Sequence, residues 1–240
     1  MRFFRWGAKR STTQSGSGSP VYRYEPGARP ELSSGDPALV EAISDHISEH
    51  FGAEDYMVWH QQISAYVHVD LHAVPPADDR PFYTLITSGM SQKPMRAKSE
   101  DAAYAELVLA LPPDWPMERE AFEDERNYWP FRLLQNLAVL PHQFETWLWS
   151  WHTVPNGDPP KPYAPGTELC CAMLAPTRVA PRDFDILHHD GREIVFHGVY
   201  LLYEDEMQAK LDGGSDALLR PLYDAGVTEL VNPSRPSVFA

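Results

Sequence analysis

Cysteine is scarce in this chain of 240 residues: there are two, Cys170 and Cys171, adjacent in the run ELCCAML. Neighbouring thiols lack the spacing of zinc or dithiol motifs, so they read as reduced core residues, and nothing argues for a disulfide framework or secretion. Basic residues are also in deficit. The 20 Lys and Arg stand against 34 Asp and Glu, a formal charge of -14 that repels nucleic acid and anionic membranes and attracts basic partners. No apolar run approaches the length of a membrane span, and the start, MRFFRWGAKRSTTQSGSGSP, has no apolar signal-peptide core. The glycine fingerprint of nucleotide-binding folds and the G-x-S-x-G elbow of serine hydrolases are missing as well. These absences point to a cytoplasmic protein with no cofactor, no nucleic-acid partner and no membrane association.

What the chain has instead is tryptophan. Four of its seven lie between Tyr128 and Pro160, beside the turn Pro155-Asn156-Gly157-Asp158. Large aromatic side chains with a polar handle anchor cores and interfaces, whereas catalysis needs titratable groups held against one another. A protein-binding module is the first expectation.

Residues 1–35 combine a basic start with a Ser/Gly/Thr linker and read as a flexible tail, leaving 36–240 as the folded domain. Asp36-Pro37 supplies an N-cap and an N1 proline for an amphipathic helix through Leu39, Ile43 and Ile47 that stops at Gly52. Gln62 to Val74 alternates and predicts a half-exposed strand; Phe82–Thr87 and Tyr104–Leu111 predict two more. Trp129, Leu133, Leu134, Leu137 and Leu140 follow a helical period, with a break at Pro141 and resumption through Phe144, Trp147 and Leu148. Asp190-Gly191 joins two hairpin strands, Phe184–His189 and Glu193–Leu202, and Gly213-Gly214 separates two C-terminal helices. The sum is an α+β fold: a mixed, largely antiparallel sheet with flanking helices.

His68-x-Asp70-x-His72 is the best metal candidate, since alternate strand residues share a face, and it would support a metal-dependent hydrolase. A polar surface patch explains the same residues with fewer demands, and His60 joins only if the chain folds back. Ser88-Gly89-Met90-Ser91 fits a tight turn presenting backbone donors. The acidic run Glu118, Glu120, Glu123, Asp124 and Glu125 fits a solvated face ahead of a helix. Trp147, Trp149 and Trp151 alternate, with at least two expected inside. The contact surface expected from the residues therefore comprises Ser88, Gly89, Ser91, Trp149, Trp151, His152, Asn156 and Asp158.

The order of several segments resembles the Suppressor of fused domain family, particularly its bacterial members. These are HVDLHAVPP at 68–76, YTLITSGMSQKPM at 83–95, YAELVLALPPDWP at 104–116, the stretch from YWPFRLLQNLA to HTVPNGDPPKPY, and YEDEMQAKLDGGSDALL. The resemblance implies a mixed α/β protein-binding scaffold, with no shared catalytic activity. Animal members hold a transcription factor; bacterial members often serve as immunity proteins against polymorphic toxins. The chain looks like the N-terminal domain of the animal proteins alone. Leu137, Ala138, Gln143, Glu145 and Ser150 match the animal pattern, and His152 takes the place of an acidic partner-contacting residue. A basic toxin domain is the partner this implies, with an intracellular adaptor for a non-toxin partner as the other reading.

Overall fold

The computed structural model describes residues 10–25, 32–61, 65–97 and 99–240. A two-stranded hairpin comes first, β1 (Arg10–Gln14) and β2 (Pro20–Tyr24), then helix α1 (Pro37–Phe51). The strands β3 (Met57–Trp59), β4 (Asp70–Val74), β5 (Tyr83–Ser88) and β6 (Ala105–Leu111) follow, and then α2 (Glu125–Gln143). The chain continues through β7 (Thr153–Pro155), β8 (Cys171–Pro176), β9 (Ile186–His189) and β10 (Arg192–Leu202) to the helices α3 (Glu204–Gly213) and α4 (Ser215–Asp224).

Eight strands form one sheet in the order β3-β4-β5-β6-β10-β8-β7, with β9 also paired to β10. Among the described strands the central β6–β10 pairing is parallel and the other pairings are antiparallel. The mixed α+β architecture expected from the sequence is therefore present.

Strand alternation sends side chains into two helical layers. Leu71, Leu85, Leu107, Leu109, Leu174 and Leu201 pack on one face against Trp129, Phe131, Leu134 and Leu137 of α2. On the other face α1 covers one half, burying Leu39, Ile43 and Ile47 against Val74, Ile86, Val108 and Phe196. The helices α3 and α4 cover the rest, where Met207, Leu218 and Leu222 meet Met173, Tyr200 and Leu202. A sheet covered on both sides buries whole strands, and all seven residues of β6 are buried.

Local chemistry sets the helix ends. Asp36 accepts the Leu39 N–H at the start of α1, and Gly52 ends it in the left-handed region, φ 62°, with its N–H on Ser48 O. Such an N-cap contributes about 1 kcal/mol. Asp124, from the acidic run, caps α2 by accepting the Arg126 N–H.

Three expectations need correction. The helix does not break at Pro141: α2 runs through it to Gln143 and is not resumed, because one missing N–H falls in the final turn and Thr146 N–H closes on Pro141 O at 2.8 Å. The strand expected half-exposed is wholly buried over Asp70–Val74, since β3 and β5 flank it and helices cover the sheet; residues 62–64 of that expectation lie outside the described residues. Within the stretch read as a flexible tail, 10–24 is a hairpin, closed by Ser15 N–H on Ser19 O and seated on the aromatic side chains Phe144 and Trp147. The rest of that stretch through residue 9, and 26–31, lies outside the described residues.

Candidate protein-binding face

After α2 the chain passes through Phe144–His152 before entering β7 at the sheet edge. It cannot repeat as a strand, because Glu145 and Trp151 both take positive φ, 50° and 69°. Thr146 is buried, and its carbonyl accepts Arg96 N–H at 2.9 Å. Trp151 N–H donates to Leu174 O at 2.6 Å and Leu174 N–H returns to His152 O at 3.0 Å, which fixes the residue against β8. The residue is left 40% exposed.

The other two indoles turn inward, as expected for at least two of the three. Trp147 and Trp149 pack against the main core. Trp147 meets His152 edge-on at 5.5 Å between ring centroids, and Trp149 meets His197 at 4.7 Å. Burial lowers the His152 pKa, helped by the positive charge of Lys210, which favours the neutral imidazole.

Beyond β7 the loop closes on itself. The Asn156 side-chain amide donates to Lys161 O (2.8 Å) and Pro162 O (3.1 Å), and its backbone N–H donates to Cys170 O (2.8 Å). Asn156 therefore shapes the loop; its amide donors are directed inward. Asp158 projects to solvent and takes the Arg23 Nε–H at 2.8 Å. Alongside, an open cleft of about 710 Å³ is lined by Pro160, Pro162, Glu168, Tyr203, Glu204 and Asp205 among others. The face thus combines an exposed indole, a half-buried histidine and carboxylates.

Ser88, Gly89 and Ser91 are not part of it. All three are buried, and the backbone donors expected of this turn are spent on Glu106 of β6. That carboxylate is fully buried and takes Gly89 N–H (2.9 Å), Ser91 N–H (2.9 Å), Ser91 Oγ–H (2.5 Å) and Thr87 Oγ1–H (2.6 Å). Gly89 has φ 114°, and a Cβ on it would fall 1.7 Å from His68 O, so no other residue fits. Burial raises the Glu106 pKa from 4.5 to about 7 against the opposing pull of its four donors. The turn supports the face from behind: His142 Nε2 donates to Met90 O at 2.8 Å, and Leu148 N–H points at Met95 Sδ at 3.5 Å. Glu106 was missed in the sequence, although a lone acid in the apolar run YAELVLAL is a signal that could have found it.

The histidine cluster is arranged around Asp70. His60 Nδ1 and His68 Nε2 lie 3.1 Å from its two oxygens, so His60 does fold back. His72 points elsewhere, with Nε2 2.8 Å from Ser88 Oγ, and burial lowers its pKa to about 4. No group of three His, Cys, Asp or Glu among the described residues is placed to hold a metal ion. The arrangement is a hydrogen-bonded network inside the sheet edge. Cys170 and Cys171 are free and buried, as their sequence setting predicts, and burial pushes the Cys170 thiol up to about 11. Among the described residues, no helix is long and apolar enough to cross a membrane.

Comparison with known proteins gives one family. The family profile of the Suppressor of fused protein (SUFU) matches residues 65–236. No curated protein matches the sequence. Among solved structures, the fold is similar to that of a SUFU homolog from Neisseria gonorrhoeae FA 1090, with a TM-score of 0.62 and 12% identity over 85% of this chain and 98% of that one. A Sufu–Fu complex gives a TM-score of 0.60 and 15% identity over 84% of this chain and 92% of that chain. Drosophila Suppressor of Fused gives 0.57 and 15%, with 84% of this chain aligned to 51% of that one.

Proposed function

Because the chain belongs to the Suppressor of fused family, we propose that it is a non-enzymatic, cytoplasmic protein-binding domain, a bacterial immunity protein that neutralises a polymorphic toxin by covering its working surface. The contact face runs from Trp149 to Asp158, with Trp151 at its centre and Asn156 as its internal brace. The observation that carries this reading is Trp151: its N–H and the carbonyl of the next residue, His152, are both bonded to Leu174 of β8 while the residue stays 40% exposed. A large ring presented at the surface from a fixed backbone offers much contact area at a modest entropy cost, as interface hot spots do. The charge of -14 favours a basic partner such as a nuclease toxin domain, through steering and through blocking of its substrate surface.

The Fu complex of a structural relative is consistent with a fold that binds proteins, and an adaptor for a non-toxin partner is the competing assignment. Affinity capture from native cells with the wild-type chain and with Trp151→Ala tests the reading. A stable partner retained by the former and weakened by about 2 kcal/mol or more in the latter supports it. Finding no stable partner for the wild type, any toxin encoded beside its gene included, overturns it; a captured non-toxin protein selects the adaptor.

A further inference from the structure

The N-terminal hairpin lies outside the matched family span of 65–236 and yet rests on the edge of the proposed contact face. Its turn is docked against the end of α3: Ser17 N–H donates to Leu211 O at 2.8 Å, and a Cβ on Gly16 would come within 3.1 Å of the Asp212 Cα. Its second strand then follows the segment after α2. Tyr22 and Tyr24 share one face of β2. The Tyr22 ring lies 6.1 Å from that of Trp147, the Tyr24 ring 5.9 Å from that of Phe144, and Tyr24 Oη sits 2.7 Å from Thr146 Oγ1. Between them Arg23 donates Nε–H to Asp158 Oδ2 at 2.8 Å.

We propose that β2 is an intramolecular ligand: Tyr22-Arg23-Tyr24 occupies a docking site for an extended aromatic–basic–aromatic segment of the partner, and lifts off when that segment binds. The proposal rests on assigning partner binding to this face. The chemistry fits both occupants, since Phe144, Trp147 and the Asp158 carboxylate accept rings flanking a cation, and the -14 charge of the chain draws basic segments to it. The attachment is shallow. Every residue of β1 is exposed, and Arg23 and Asp158 keep 53% and 69% of their side-chain surface in water, where an ion pair is weakly held. The hairpin is also a separate two-stranded sheet, so lifting it breaks no hydrogen bond of the eight-stranded ladder. Tethering keeps such a weak contact closed through high effective concentration, and a partner with the same chemistry and more contact area displaces it.

The test uses the full chain and the synthetic peptide Pro-Val-Tyr-Arg-Tyr-Glu, followed through the indole resonances of Trp147 and Trp149. In the variant Tyr22→Ala/Arg23→Ala/Tyr24→Ala the peptide should bind saturably and at least tenfold more tightly than to wild type. Replacing its Arg by Glu should weaken it at least tenfold. Equal binding to both chains, or no saturable shift in the variant, overturns the proposal. Should that variant misfold, Asp158→Arg in the otherwise native chain provides the second measurement. Amide exchange at Val21–Tyr24 should then accelerate about threefold or more, because an attraction is replaced by repulsion and an isolated hairpin is marginal, and unchanged exchange overturns the proposal equally. Neither measurement involves an external partner, so a failed capture experiment and a failed strap are separate results.

Discussion

Two turns in this molecule are built from similar residues and do opposite things. Ser88-Gly89-Met90-Ser91 follows β5 in the interior of the sheet, and the Gly89 N–H, the Ser91 N–H and the Ser91 hydroxyl are all taken by the buried Glu106. The Asn156-Gly157-Asp158 turn follows β7 at the sheet edge; its amide closes the loop and its carboxylate faces water. Both look like surface turns in sequence, since Ser, Gly, Asn and Asp suit any tight turn. Strand position decides the difference. A turn covered by helices must satisfy its polar groups internally, and doing so fixes one geometry, whereas an edge turn keeps polar groups free for a partner.

The largest effect that would break this contrast is Gly89→Ala. A methyl group 1.7 Å from His68 O and a φ of 114° cannot both be accommodated, so a loss of more than about 4 kcal/mol in urea unfolding is expected. A loss under about 1 kcal/mol would mean the inner turn is as yielding as the outer one. Glu106→Ala comes next, stranding four buried donors at a cost of about 3–5 kcal/mol.

Glu106→Gln sharpens the point through pH. With a folded pKa of about 7 against 4.5 unfolded, the folded state binds more protons between those values. The stabilisation from this group is complete below pH 4.5 and is lost as pH rises through about 7, a change of about 3 kcal/mol. His72 and His197, both lowered to about 4 by burial, act in the opposite sense: their contribution is present above about 6.5 and lost as pH falls through about 4. The wild-type profile is therefore a partial cancellation. Subtracting the Glu106→Gln curve from that of wild type isolates the glutamate, and a difference flat from pH 4.5 to 7 would show that its charge is unaffected by burial.

This contrast also marks how far the sequence could be read. The caps of α1 at Asp36 and Gly52, the Asp190-Gly191 hairpin and the mixed sheet were legible because each depends on local conformational chemistry. That at least two of Trp147, Trp149 and Trp151 lie inside was legible from hydrophobicity; which two was not, since Trp149 was expected on the contact surface and packs against the core instead. Burial of Asp70–His72 and Ser88–Ser91 was not, because it depends on α1 and α2 covering both sheet faces, a tertiary fact that leaves polar strand residues looking solvent-facing. Part of the polar network inside the sheet joins residues 15 or more positions apart, such as Ser88 with His72 and Ser91 with Glu106. The hairpin at 10–24 escaped for a related reason: a Ser/Gly-rich, apolar-poor segment has too little to fold around by itself, and the rings of Phe144 and Trp147 supply what it lacks.

At the outer turn the expected effects on stability are small and those on binding are not. Trp151→Ala should cost about 1 kcal/mol or less in unfolding, because its fixed part is backbone and its side chain is partly in water, while partner affinity falls by about 2 kcal/mol or more. Asp158→Asn is smaller still. Its exposed pair with Arg23 is worth less than about 1 kcal/mol, so the unfolding midpoint should stay put. Loss of the carboxylate should nevertheless loosen the strap and slow association with a basic partner, an effect that high salt would erase by screening. Comparing association rates of wild type and Asp158→Asn at low and high salt separates the two turns most finely: a salt-independent difference would place Asp158 with the inner turn, as a residue that holds structure.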